Sequence, residues 1–153
     1  MSQSRFMNRI YNEIENCNEF SRSCITFDLS EGVIKITCIY DNKFPVYFKL
    51  NNEYPFKPPE ILKINNRNYN CHFWNISRKV YDKIYYHYKI QCFFCNSKMC
   101  FNNWHPVNHI VSIIKEIMAY EFLIKAVYNI NMLSYNNINF LPEIEKHILS
   151  FIF

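Results

Sequence analysis

Seven cysteines and five histidines are the residues of this 153-residue chain best suited to chemistry, and three of the cysteines crowd into one short segment. That segment is Cys92-Phe-Phe-Cys95-Asn-Ser-Lys-Met-Cys100, and it runs on through Phe-Asn-Asn into Trp104-His-Pro106. A cysteine offers a thiolate that can act as a nucleophile or bind a soft metal. The spacing Cys92-x2-Cys95-x4-Cys100-x4-His105 has the loop lengths of a zinc knuckle, and Cys71-His72 could supply a further ligand. A knuckle relies on glycines for its tight turns, and this segment has none. The plain alternative is that each thiol is a small buried apolar group. That is the assignment for Cys17, Cys24 and Cys38, which fall on periodic core faces.

The rest of the composition narrows the field. Half the residues are apolar, enough for one well-packed domain and too few for two. Gly32 is the single glycine, so no Walker loop, dinucleotide fingerprint or nucleophile elbow can be written, and kinase, dehydrogenase and α/β-hydrolase activities are excluded. Asparagine must then serve at turns, because it tolerates left-handed backbone better than other non-glycine residues; Asn51-Asn52, Asn65-Asn66, Asn102-Asn103 and Asn136-Asn137 are the expected sites. The net charge of +4 is spread among Asp and Glu, with no basic stripe of the kind that grips nucleic acid. The most apolar stretch, Ile110 to Ile130, is interrupted by Lys115, Glu116, Glu121 and Lys125, so no membrane span is expected. An odd number of cysteines behind an N-terminus with no apolar run points to a reduced intracellular compartment, cytoplasmic or nuclear.

Periodicity supplies the elements that must position the cysteines. Phe6, Ile10, Ile14 and Cys17 space as one face of an opening helix, with Arg5 and Arg9 on another side. Strands are expected over Ile25–Leu29, Val33–Tyr40, Phe44–Leu50 and Glu60–Ile64, an antiparallel meander in an α+β fold. Between the third and fourth stands Tyr54-Pro-Phe-Lys-Pro-Pro59, whose three prolines can continue neither a ladder nor a helix. Ile76, Val80, Ile84 and Tyr88 space as a helix over 75–88, and Ile110, Ile113, Ile114 and Ile117 as one stripe of a long core helix from about Pro106 to Ala126.

The proline turn, the cysteine segment, Trp104-His-Pro106 and the aliphatic stripe stand in one order, and that order resembles the ubiquitin-conjugating (E2) family, closest to the divergent E2-like proteins of large DNA viruses. The resemblance covers Arg5 to about Ile130 and implies a single UBC-like domain over 1–153, with an E2-like core over 1–130, a C-terminal helix over 131–153, and the 75–88 helix as an insertion before the cysteines. It implies an enzyme that carries ubiquitin as a cysteine thioester and offers it to a lysine, with no cofactor. Cys92, followed by apolar Phe93, matches the local context of the family's nucleophile, while Cys95 better matches the distance to the tryptophan. By the same resemblance Arg5 and Arg9 meet the ubiquitin-activating enzyme, and Phe56 with Pro106 receives a RING or HECT ligase.

One departure matters most. The family's His-Pro-Asn, whose Asn steadies the oxyanion, is absent, and Asn70 and Asn75 are the amides in the corresponding sector. Catalytic silence, with the fold kept as an adaptor that binds ubiquitin or a ligase, is therefore an alternative. The tail Leu141-Pro-Glu-Ile144 to Phe151 resembles both a late E2 helix and the first helix of an F-box, which would recruit a Skp1-like adaptor; zinc at Cys92, Cys95, Cys100 and His105 would suit that interaction module.

Overall fold

Local pattern becomes architecture in chain order: helix α1 (Gln3–Phe20), strands β1 (Ile25–Asp28), β2 (Ile34–Tyr40), β3 (Phe44–Leu50), β4 (Ile61–Ile64) and β5 (Arg67–Asn68), then helix α2 (Arg78–Tyr88), the one-turn α3 (Phe93–Asn96) and the long α4 (Ile110–Tyr135). The structure, a computed structural model, describes residues 3–20, 25–28, 34–40, 44–50, 53–69, 73 and 76–135. Gly32, Cys24, the expected Asn51-Asn52 turn site, Asn70, Cys71-His72, Asn75 and the tail from Asn136 onward lie outside the described residues.

The strands pair antiparallel in sequence order, β1-β2-β3-β4-β5. Alternation sets the faces: Val46, Phe48 and Leu50 of β3 are buried, with Tyr47 and Lys49 half-buried between them. Register brings Ile64 opposite Val46 and Leu62 opposite Phe48, so one face of the sheet is continuous with the core. The expected four-strand meander thus gains a fifth, two-residue strand. Asn65 and Asn66 explain the addition: both have positive φ (50° and 63°), which makes the two-residue hairpin whose twist suits antiparallel strands.

α2 opens three residues later than the periodicity suggested, because the Ser77 side chain accepts the Val80 N–H and caps it. It closes on Lys89, in left-handed backbone (φ 59°), whose N–H returns to the Tyr85 carbonyl. In a chain with one glycine, a lysine holds that position, and its ammonium lies over the Tyr85 and Tyr86 rings at 5.8 and 5.5 Å. α4 starts at Ile110 rather than Pro106 and runs on to Tyr135, since neither glycine nor proline interrupts it and Val127 and Ile130 continue the buried stripe. Ile110, Ile113, Ile114, Ile117, Leu123 and Val127 join Ile10 of α1, Val80 and Ile84 of α2 and the β3–β4 face in one apolar cluster. Of the described helices, α1 and α2 both pack on α4. α4 is the rail on which the remaining pieces are mounted.

Candidate functional site

The proline turn folds back on itself with the Phe56 and Lys57 N–H groups on the Glu53 carbonyl, while the Glu60 N–H rejoins β3 at Lys49. The Tyr54–Pro55 peptide is cis, and Tyr54, Pro55 and Pro59 are buried. Phe56 is left 62 % exposed at the tip. Trp104 ties the turn to the segment that enters α4: its indole N–H donates to the Pro55 carbonyl at 2.7 Å, and its ring lies 5.9 Å from that of Tyr54. Two pieces of sequence that the resemblance placed on one ligase-facing surface, Tyr54–Pro59 and Trp104–Pro106, are therefore physically joined. Pro106 is half-buried.

Behind the turn lies a buried carboxylate. Glu13 is fully enclosed, accepts the Tyr54 hydroxyl at 2.5 Å and takes the Ile110 N–H, the first of α4, at 2.9 Å. It joins α1, the turn and the long helix, and it puts negative charge where the helix dipole favours it. Burial, reinforced by the Glu13 charge, raises the Tyr54 phenol well above its ordinary range. Arg9, the cation expected to face a partner, turns toward this carboxylate. Its Nε is 2.9 Å from Glu13 Oε1, an ion-pair contact without hydrogen-bond alignment, its guanidinium donates to the Asn108 carbonyl at 2.8 Å, and it lies 5.8 Å from the Tyr54 ring centre. A buried carboxylate draws in the nearest cation, and Arg9 meets it with part of its side chain still at the surface. Arg5 lies on α1 in a stretch whose side chains are outside the description.

The cysteine segment is built around a single turn of helix that the periodicity did not announce. Cys92 is its N-cap, in extended backbone, and its sulfur accepts the Cys95 N–H at 3.1 Å. Phe93 holds the turn to the core, stacked 5.0 Å from Phe73 and edge-on to Tyr120 at 4.9 Å. Downstream, Glu116 of α4 takes the Ser97 hydroxyl and, at 3.0 Å, the Lys98 N–H, while Ser97 Oγ accepts the Met99 N–H. The Asn103 amide donates to the Cys95 and Ser97 carbonyls at 2.7 and 3.1 Å. The loop is thereby fixed from both ends, which favours a defined thiol position.

The three thiols of this segment are distinct. Cys92 and Cys100 are half-exposed and Cys95 is exposed. Partial burial pushes the Cys92 thiol up, but hydrogen bonds from the Cys95 thiol and from the Cys95 and Phe94 N–H groups outweigh it and bring Cys92 below the ordinary thiol range. Cys95 is pushed the other way, first by its hydrogen bond to Cys92. Cys92 opens on a cavity of about 270 Å³ lined by Tyr69, Phe73, Tyr81, Gln91, Phe93 and Phe94. No carboxylate, imidazole or amine is among those residues, and burial raises both Tyr69 and nearby Tyr120, the latter to about 12. Among the described residues, the groups that favour a thiolate at Cys92 are backbone N–H groups and the neighbouring thiol. Cys100 instead lines a groove of about 840 Å³ with Lys57, Pro58 and Phe101.

Among the described residues no group of three or more His, Cys, Asp or Glu side chains is placed to hold a metal ion. Among them, too, no helix is long and apolar enough to cross a membrane. Glu13, Ser97, Asn103 and Glu116 were missed from the sequence. Glu13 could have been found: it sits three residues after Ile10 on the apolar stripe of α1, where a carboxylate needs a reason to be. Glu116 gives a similar signal beside Ile113 and Ile117. Comparison with known proteins adds no name: no family model, no curated protein and no solved structure matches the chain.

Proposed function

We propose that the chain is an E2-like α+β domain that accepts ubiquitin as a thioester on Cys92 and passes it to a lysine with a RING or HECT ligase seated on Phe56 and Pro106. The observation that carries this reading is the Trp104–Pro55 hydrogen bond, which joins the proline turn to the Trp-His-Pro segment and leaves Phe56 at the tip of the joint surface. The lowered Cys92 thiol supports the choice of nucleophile. In charging, the Cys92 sulfur attacks the carbonyl carbon of the ubiquitin thioester on the activating enzyme, and that enzyme's thiolate leaves. In discharge, a lysine amine attacks the new thioester and Cys92 leaves as the thiolate.

Discharge is the weaker half. The Asn103 amide, in the cysteine loop, already serves two carbonyls. Loss of an oxyanion donor costs roughly 100–1,000-fold in rate. That observation favours a second reading, an adaptor that keeps the docking surface without conjugating. Ubiquitin charging with activating enzyme and ATP, read on a non-reducing gel, separates the two. A reductant-sensitive adduct lost in Cys92→Ser and kept in Cys100→Ser supports conjugation, and a wild type that never charges leaves the adaptor.

A further inference from the structure

We infer that Cys92 and Cys95 form a redox pair, in which a hydroperoxide oxidises Cys92 to a sulfenic acid and Cys95 resolves it to an intramolecular disulfide. The inference stands apart from ubiquitin transfer, because it needs only the two thiols and an oxidant. One helical turn separates the residues, which sets their Cα atoms about 5 Å apart, within the span a disulfide bridges. The Cys92 side chain is folded back over that turn, its sulfur 3.1 Å from the Cys95 backbone nitrogen, and so points toward its partner instead of away. Both residues meet solvent, Cys95 exposed and Cys92 half-exposed in the lining of the 270 Å³ cavity. Cys100 is a different environment, in the groove beside Lys57 and Phe101.

The electrostatics assign the two roles. Cys92, despite the opposing effect of burial, is lowered by the donors around it and is the thiol that attacks. Cys95 is raised, first by its hydrogen bond to Cys92, and waits as the thiol. Oxidation of Cys92 removes that cause, so Cys95 ionises more readily once there is something to resolve. The chemistry balances. The Cys92 thiolate attacks one peroxide oxygen, the O–O bond breaks, and the other oxygen leaves with a proton as an alcohol or water. Cys95 then attacks the Cys92 sulfur, the S–O bond breaks, and hydroxide leaves as water with the proton Cys95 gives up. Two electrons pass from the thiol pair to the peroxide.

The sequence provides the assay. Lys89 and Lys98 bound a tryptic peptide over 90–98 that contains Cys92 and Cys95 and no other cysteine. The reduced, folded chain is treated with stoichiometric hydrogen peroxide, remaining thiols are blocked with iodoacetamide, and the digest is weighed by mass spectrometry. The expected peptide is lighter than its reduced form by two hydrogens and carries no alkyl group. Cys95→Ser should replace the disulfide with a Cys92 sulfenic acid that a cyclic 1,3-diketone traps, while Cys92→Ser should leave Cys95 open to alkylation. A doubly alkylated peptide from the peroxide-treated chain overturns the inference, as does a bond from either residue to a third cysteine. Ubiquitin takes no part in the readout, so failure here and failure of charging are separate results.

Discussion

Replacing Glu13 by glutamine changes one oxygen for an NH₂ group, and the structure says what that should cost. Oε1 serves the Tyr54 hydroxyl, Arg9 and, at 3.2 Å, His109; Oε2 serves the Ile110 N–H. A glutamine has one acceptor oxygen. If it faces Tyr54, its NH₂ meets the Ile110 N–H, donor against donor at a residue with no solvent access. An orphaned buried donor costs about 1–3 kcal/mol. Loss of negative charge at the start of α4 adds about 0.3–1 kcal/mol, and Arg9, only 19 % exposed, loses its counter-charge. Together these give about 2–4 kcal/mol, or about 4–16 °C in Tm for a chain of this size. Glu13→Ala, which removes every one of these contacts, should cost about 3–5 kcal/mol. The assay is equilibrium urea unfolding followed by far-UV circular dichroism and by tryptophan fluorescence. Asp82→Asn is the control: Asp82 pairs with Arg78 at 3.9 Å on an open surface, and such pairs contribute at most about 1 kcal/mol. Should Glu13→Gln unfold within about 0.5 kcal/mol of wild type at an unchanged urea slope, the network is ornamental and the argument fails.

Other consequences follow from the same contacts. Trp104→Phe keeps an aromatic ring but loses the bond to the Pro55 carbonyl and should destabilise by about 1 kcal/mol, visible in the urea midpoint. Phe56→Ala should leave stability within about 0.5 kcal/mol, since the ring is exposed, yet reduce ligase-stimulated discharge while charging persists; equal loss of both would remove Phe56 from the ligase surface. For the thiols the sign is fixed by direction: Cys92 lies below the ordinary range and Cys95 above it, so alkylation of Cys92 should begin to rise at lower pH than that of Cys95. Peptide-resolved iodoacetamide rates against pH measure this, and the reverse order would contradict it.

The sequence disclosed those parts of the fold whose signal is local. The Asn65-Asn66 turn, the alternation in Phe44–Leu50 and the aliphatic stripe at Ile110, Ile113, Ile114 and Ile117 each depend on spacing or on a residue's own backbone preference, and each appears where expected. What escaped depends on pairings between distant segments. Arg9 read as a surface cation because periodicity says only which side of α1 it occupies. Its inward turn depends on Glu13, Tyr54 and Asn108, the last 99 residues away. The α3 turn escaped because four residues carry no period, and its support comes from Phe73, Tyr120 and, through Ser97, Glu116. The boundary of α4 moved from Pro106 to Ile110 for a related reason: its first N–H finds an acceptor on a different helix.

Those long-range pairings place both halves of the candidate site on one element. Glu13 fixes the start of α4 to α1 and, through Tyr54, to the proline turn. Glu116, less than two turns along α4, fixes the end of the cysteine loop through Ser97 and Lys98. A displacement of α4 would therefore move the Phe56 surface and the Cys92 segment together. Substitution should separate the two. Glu116→Gln, which leaves Tyr54, Trp104 and Glu13 untouched, should loosen the loop while sparing the turn, so amide exchange should quicken at Lys98 and Met99 but not at Phe56 and Lys57. Glu13→Gln should quicken exchange at Ile110, whose N–H it orphans, before Lys98 responds. If either substitution quickens both regions equally, α4 transmits the disturbance as a rigid body, and the turn and the cysteine loop are one cooperative unit rather than two sites mounted on a common rail.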